Sequence, residues 1–187
     1  EALIGLSVGA ALILCTSLRN MNAIHDALEG VWHGALLKQG QAPKITLVDQ
    51  FIEEPNAVLV ATTSFWQGVD IPGDDLRLVV IDKLPFAAPN DPVTSARIDS
   101  LKEQDKNPFN EYQVPQAALA LKQGFGRLIR TAYDRGIVAI LDSRLSTKGY
   151  SSQFLSSLPA APIVKDFADL ERWWLDVVPC GEGITGS

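Results

Sequence analysis

The sequence predicts an α/β sandwich, three layers deep, built on a mainly parallel sheet. Two observations predict it. Several short runs are apolar at every position rather than at alternate ones, which suits strands buried on both faces. Between them lie segments with helical spacing, so strands are joined by helices that cross back over the sheet with right-handed connections. Of the 187 residues, 47% are apolar and 20% charged, enough to bury one ordinary core. Residues 1–187 therefore read as a single domain.

"ALILCT" (11–16) reads as a buried strand, and "RNMNAIHDALEG" (19–30) as a helix with Gly30 past its end. "KITLV" (44–48) is expected to be the second strand and "AVLVAT" (57–62) the third. "LRLVVIDKL" (76–84) is the fourth, stopped by Pro85, and "GIVAIL" (136–141) the fifth. An insert over 85–113 separates the last two. It contains a Pro-rich loop, the charged helix "VTSARIDSLKEQ" and a polar turn. Residues 150–176 give two further helices, with Trp173 and Trp174 expected to pack one of them onto the body. A short tail, 179–187, closes the chain.

The net charge of −6 excludes a generic polyanion binder, so any nucleic-acid contact has to be local. Two cysteines, Cys15 and Cys180, are too few for a four-thiolate cluster and suit a reducing, cytoplasmic setting. Cys15 reads as a small core residue. His25 and His33 have no metal-like partners and read as surface residues, so no metal site is expected. No apolar run is long enough for a membrane span. The chain opens on Glu1 without an initiator Met and reads as a piece of something longer.

The chemistry concentrates in "VPQAALALKQGFGRLIR" (114–130). As one helix, with Pro115 in its first turn, it places Val114, Ala118, Leu121, Phe125, Leu128 and Ile129 on one face. Gln123, Arg127 and Arg130, at i, i+4 and i+7, form a row on the opposite face. A lone arginine pair is usually just a solvated face. Gly124 and Gly126 argue otherwise, because each costs about 1 kcal/mol against Ala inside a helix. That cost makes sense where something approaches the backbone closely. Arginine forks suit phosphate oxygens and the charge spread over a transferring phosphoryl group.

Q-x-x-G-R-x-x-R over 123–130 resembles motif VI of superfamily 2 helicases. "DRGIVAILDSRL" (134–145) is similar to the segment that follows it in the XPD/DinG-like branch. "ATTSFWQGVDIPG" (61–73) resembles motif V, "LVVIDKLPF" followed by "PNDPV" and "AR" (78–97) matches the segment after it, and "ALILCTSLRNMNAIHDAL" (11–28) resembles motif IV. The likeness runs over roughly 9–175, in order, and is nearest the bacterial DinG/YoaA-like group. It implies a RecA-like α/β/α lobe, the second of two. No G-x-x-x-x-G-K-[ST] and no D-E-A-H box occurs, so the first lobe is expected elsewhere.

The resemblance implies the roles. Arg127 and Arg130 would reach ATP phosphates across the lobe interface, with Gln123 positioning the nucleotide or the water, or linking to the other lobe. Gly68, Gly126, Asp70 and Gln67 would line the nucleotide. Gln67 stands where the family usually has Glu, which keeps the acceptor and loses the charge. Thr16, Ser17, Thr62, Thr63 and Ser64 follow strands, where hydroxyls and free backbone N–H groups hold DNA phosphates. Magnesium would come with the ATP, and an iron–sulfur cluster, if any, belongs to the absent part. The expected partners are single-stranded DNA, the N-terminal RecA-like lobe and a replication or repair protein. The implied whole is an ATP-dependent DNA helicase, 5′→3′, with this lobe inactive alone. A docking module using 85–113 or the C-terminal helices, and a degenerate lobe, stay open. Trp66 is weighed between base stacking and core. Asp142 and Arg144 are weighed between a structural pair and a nucleotide role.

Overall fold

The computed structural model describes residues 1–66, 71, 75–87, 91–128 and 135–177, with backbone alone at 66, 127 and 128. Its centre is a five-stranded sheet. The strands are β1 (Ala11–Cys15), β2 (Leu36–Lys38), β3 (Val58–Thr62), β4 (Leu78–Ile81) and β5 (Ile137–Ile140). They lie in the order β2-β3-β1-β4-β5, and every pairing is parallel. The described α-helices are α1 (Ala2–Leu6), α2 (Leu18–Glu29), α3 (Lys44–Glu53), α4 (Pro92–Glu103), α5 (Val114–Leu128), α6 (Arg144–Thr147), α7 (Ser151–Ser157) and α8 (Phe167–Val177). This is the RecA-like α/β/α arrangement.

All five residues of β1 are buried, and the pleat divides them. Leu12 and Leu14 join Leu59, Ala61, Val79 and Ile81 on one side, under Leu47 and Phe51 of α3 and Val114, Ala118 and Leu121 of α5. Ala11, Ile13 and Cys15 join Val58, Val60, Leu78 and Val80 on the other, against Ile4 of α1, Met21 and Leu28 of α2, and Trp174 of α8. Two cores on one sheet are why these strands read as continuous apolar runs. Trp173 is half-buried beside Trp174, so α8 packs back as expected.

Two expectations are corrected. "KITLV" is not a strand but the first half of α3. Its Ile, Thr and Val favour a strand locally, but Leu47 and Phe51 at i and i+4 bury one helical face while Ile45 stays 76% exposed. The second strand is β2, whose three half-buried residues are too few to read as a run. His25 is the other correction. It is buried, 5% exposed, because Met21, His25 and Leu28 share the inner face of α2. His33 is exposed.

The insert is anchored at one end by rings. Phe86, before α4, stacks on Phe109 at 5.7 Å, and Phe109 meets Tyr150 at 5.4 Å. Phe109 opens a π-helical turn, Phe109–Gln113, that leads into α5. Helix α4 itself buries only Thr94 and Leu101, so its mixed charges form a solvated face. At the other end of the sheet Gly9 joins α1 to β1 with φ +73°, and a Cβ there would stand 2.4 Å from the Asn56 carbonyl oxygen. No helix among the described residues is long and apolar enough to cross a membrane.

Leu59, fully buried in the sheet, sets the scale of the core. Leu59→Ala is expected to lower stability by about 2–5 kcal/mol. Ile45→Ala, on the exposed side of α3, should change it by no more than about 0.5 kcal/mol. Urea midpoints of the two variants check the contrast.

Candidate functional site

The chain crosses from β3 on one side of β1 to β4 on the other, which makes the carboxyl ends of these strands a switch point of the sheet. Five of the sequence-predicted residues stand on that edge. Thr16 and Ser17 follow β1, and Ser17 caps α2 by accepting a hydrogen bond from the Asn20 N–H at 3.2 Å. Thr62 ends β3, and Thr63 and Ser64 open a 3₁₀ turn, Thr63–Trp66. Thr62 and Thr63 are half-buried and Ser64 is exposed.

The N–H of Thr16 is not free. It donates to Asp82 Oδ1 at 2.9 Å, while Asn20 Nδ2 donates to Asp82 Oδ2 at 2.7 Å. Asp82 follows β4, so a carboxylate from one strand end closes the β1–α2 junction. Gln39, past β2, accepts from both the N–H and the hydroxyl of Thr62. Lys44 starts α3 with its ammonium 5.2 Å from the Phe65 ring, bringing a positive charge beside the 3₁₀ turn. Sequence reasoning missed Asp82, Asn20, Gln39 and Lys44. The misassigned strand at 44–48 hid Lys44 at a helix start. The others carried no signal until the strands were ordered.

Helix α5 keeps the apolar face expected of it, and of the expected polar row only Gln123 has a described side chain. Val114, Ala118 and Leu121 are buried, Phe125 is half-buried, and Gln123 and Gly126 are exposed. A Cβ at Gly126 would meet nothing within 4 Å, so none of the described residues makes the close approach expected there. The backbone of Arg127 belongs to α5, but its side chain lies outside the described residues. Arg130, Gln67, Gly68 and Asp70 lie outside them entirely, as do the tail, Cys180 and the side chain of Trp66.

Asp142 and Arg144, at the carboxyl end of β5, form a structural clamp. Arg144 Nη2 lies 2.6 Å from Asp142 Oδ2, and the same carboxylate accepts the Leu84 N–H at 2.8 Å. The Arg144 guanidinium also lies 5.2 Å from the Phe86 ring. The clamp thus ties β5 to the start of the insert. Hydrogen bonds from the Arg144 side chain, above all, hold the Asp142 carboxyl down at about 2 from its ordinary 3.8, with the Leu84 N–H adding to the effect against the opposing pull of burial. Burial, helped by the charge of Asp82, pushes the Cys15 thiol up to about 12, which leaves it unreactive in the core. On α2, His25, Asp26 and Glu29 bring ligand atoms within 4.8 Å of one another, with Asp26 and Glu29 exposed.

Residues 1–161 match the model of the helicase C-terminal domain. The chain belongs to that family. Over 158 residues, 84% of the chain, it is 48% identical to the ATP-dependent DNA helicase YoaA of Haemophilus influenzae, of which that match covers 25%. It is 46% identical to the Escherichia coli protein of the same name over 88% of the chain and 26% of the relative. It is 42% identical to the ATP-dependent helicase DinG of Mycobacterium tuberculosis over 81% of the chain and 23% of the relative. The chain therefore spans about a quarter of the length of these relatives and is a helicase C-terminal domain of the DinG/YoaA-like kind.

The clamp gives a pH prediction. Because the folded carboxyl of Asp142 is depressed, its contribution is fully present above 3.8 and is lost as pH falls through about 2. With the Asp142 side chain only 6% exposed, that contribution is about 2 kcal/mol. Asp142→Asn should be less stable at neutral pH and should flatten the acid limb between these values. Thermal midpoints across pH 2–5 check it.

Proposed function

We propose that this chain is the second motor lobe of an ATP-dependent DNA helicase that moves 5′→3′ on single-stranded DNA in DNA repair or replication. The observation that carries the reading is the helicase C-terminal domain match over 1–161. The hydroxyl and amide groups gathered at the carboxyl ends of β1, β2 and β3 support it. In this reading the edge carrying Thr16, Ser17, Thr62, Thr63 and Ser64 faces DNA. Neutral groups along that edge can follow a phosphate backbone without massed lysines, Thr62 and Ser64 by holding a neighbouring donor in place rather than by donating themselves, which reconciles DNA binding with a net charge of −6.

ATP and magnesium would sit between this lobe and the N-terminal RecA-like lobe. Arg127 and Arg130 would face the phosphates, Gln123 would position the nucleotide or the water, and Gln67, Gly68, Asp70 and Gly126 would line the nucleotide. The described residues fit half of such a site. Gln123 and Gly126 are exposed on α5, and the backbone at Gly126 is open among the described residues. The one metal-capable cluster among the described residues lies on α2 and includes a buried histidine, so the hard oxygen set that magnesium requires is assigned to the other lobe. Any iron–sulfur cluster belongs to the rest of the protein as well. The setting is cytoplasmic.

Turnover should therefore appear in the full-length protein, stimulated by single-stranded DNA, and not in this chain alone. In the full-length protein Arg127→Ala should lower kcat by about 10³-fold. Near-normal DNA-stimulated turnover in that variant would remove Arg127 from the phosphate role.

A second reading, a docking module for a replication or repair protein, has one observation behind it. An apolar hollow of about 390 Å³ lies along β5, lined by Phe125, Val138, Ile140, Leu155, Pro162 and Ile163. Deleting residues 150–187 would not test it, because Phe154 and Trp174 are buried in the two cores. Ile163, 65% exposed, is the better probe. If docking dominates, Ile163→Asp should abolish capture of such a partner by the full-length protein and leave DNA-stimulated turnover intact. Unchanged capture would count against docking here.

A further inference from the structure

Hydrogen-bond directions around Thr62 single out a residue that the sequence does not. The Thr62 backbone N–H lies 2.8 Å from a terminal atom of the Gln39 side chain. A backbone N–H only donates, so that atom is the amide oxygen, and the orientation of the amide follows. The Thr62 hydroxyl lies 2.9 Å from the same oxygen and must donate to it as well. That uses its single proton. The Ser64 hydroxyl, 2.7 Å from Thr62 Oγ1, therefore donates inward. In this arrangement Thr62 and Ser64 have no proton left for an outside acceptor.

The Gln39 NH2 is in the opposite position. Its oxygen is held twice, and its nitrogen carries two donors with no acceptor among the described residues. Its backbone is also fixed. The Gln39 N–H donates to the Val60 carbonyl. Gly40 follows at φ +97°, and Gln41 Oε1 accepts the Lys38 N–H at 2.9 Å to close the turn. A half-buried amide is thus pinned at the carboxyl edge of the sheet, next to the turn that carries Ser64.

We propose that Gln39 is a DNA-contacting residue of this lobe, its NH2 donating to a backbone phosphate oxygen of single-stranded DNA. Thr62 and Ser64 then act through Gln39, as positioning residues that hold its amide. The proposal rests on the DNA-binding reading above. The chemistry suits an acidic protein: a neutral amide donates to phosphate without requiring a lysine, and a bond to a charged acceptor is stronger than one to a neutral group.

The test uses the full-length protein and fluorescent oligothymidylate. Gln39→Glu keeps the acceptor for both Thr62 donors and removes the NH2, so its thermal midpoint should stay near wild type. Its affinity should fall about tenfold or more. Gln39→Met removes the amide without adding charge and should also weaken binding. A single uncharged methylphosphonate linkage is then walked along the oligonucleotide. One position should weaken wild-type binding severalfold and leave Gln39→Met unaffected. If both variants bind like wild type, or if the linkage profile of Gln39→Met matches wild type, the assignment is overturned. If wild type itself does not bind oligothymidylate, the DNA reading fails and takes Gln39 with it.

Discussion

The fold depends on one strand that is buried on both faces and paired on both edges. β1 has β3 on one side and β4 on the other, and none of its five residues reaches solvent. Alternate residues feed two cores, so helices must cover both faces of the sheet. The same centrality places the ends of β1, β3 and β4 side by side. Residues from three distant parts of the chain then meet at one edge. Asp82 reaches Thr16 across 66 positions of sequence, and Gln39 reaches Thr62 across 23.

That edge is ordered, and it carries both the Asp82 carboxylate and the Lys44 ammonium. A carboxylate, a capping serine and an amide fix the β1–α2 junction and the end of β3 before any ligand is present. Groups held in advance lose less conformational freedom on binding, so modest contacts count for more. The Asp142–Arg144 clamp does the same on the far side of β4, where it ties β5 to the start of the insert. In the DNA-binding reading proposed above, such ordering lets an acidic chain present donors to a phosphate backbone.

Motifs were legible where chemistry follows local order. The apolar face of α5 and the four long strands follow from residue type and spacing, which act within a few residues. The misreadings share a cause. Ile45, Thr46 and Val48 favour a strand locally, but burial of Leu47 and Phe51 against the sheet made the segment a helix. His25 looked like a surface residue because histidine is polar and it had no metal-like partners in the sequence, and the face of α2 that it occupies became visible only with the sheet beneath it.

By itself the sequence determined the sandwich class, the central parallel strands, the apolar face of α5 and the family resemblance, because each rests on periodicity or on contiguous motifs. The tertiary structure alone decided that β2 is a three-residue edge strand, that Asp82 occupies the Thr16 N–H, and that the Gln39 side chain is held by its oxygen with no acceptor for its NH2 among the described residues. Hydrogen-bond partners across a sheet are chosen by strand order, and strand order is a property of the whole packed core rather than of any stretch of chain.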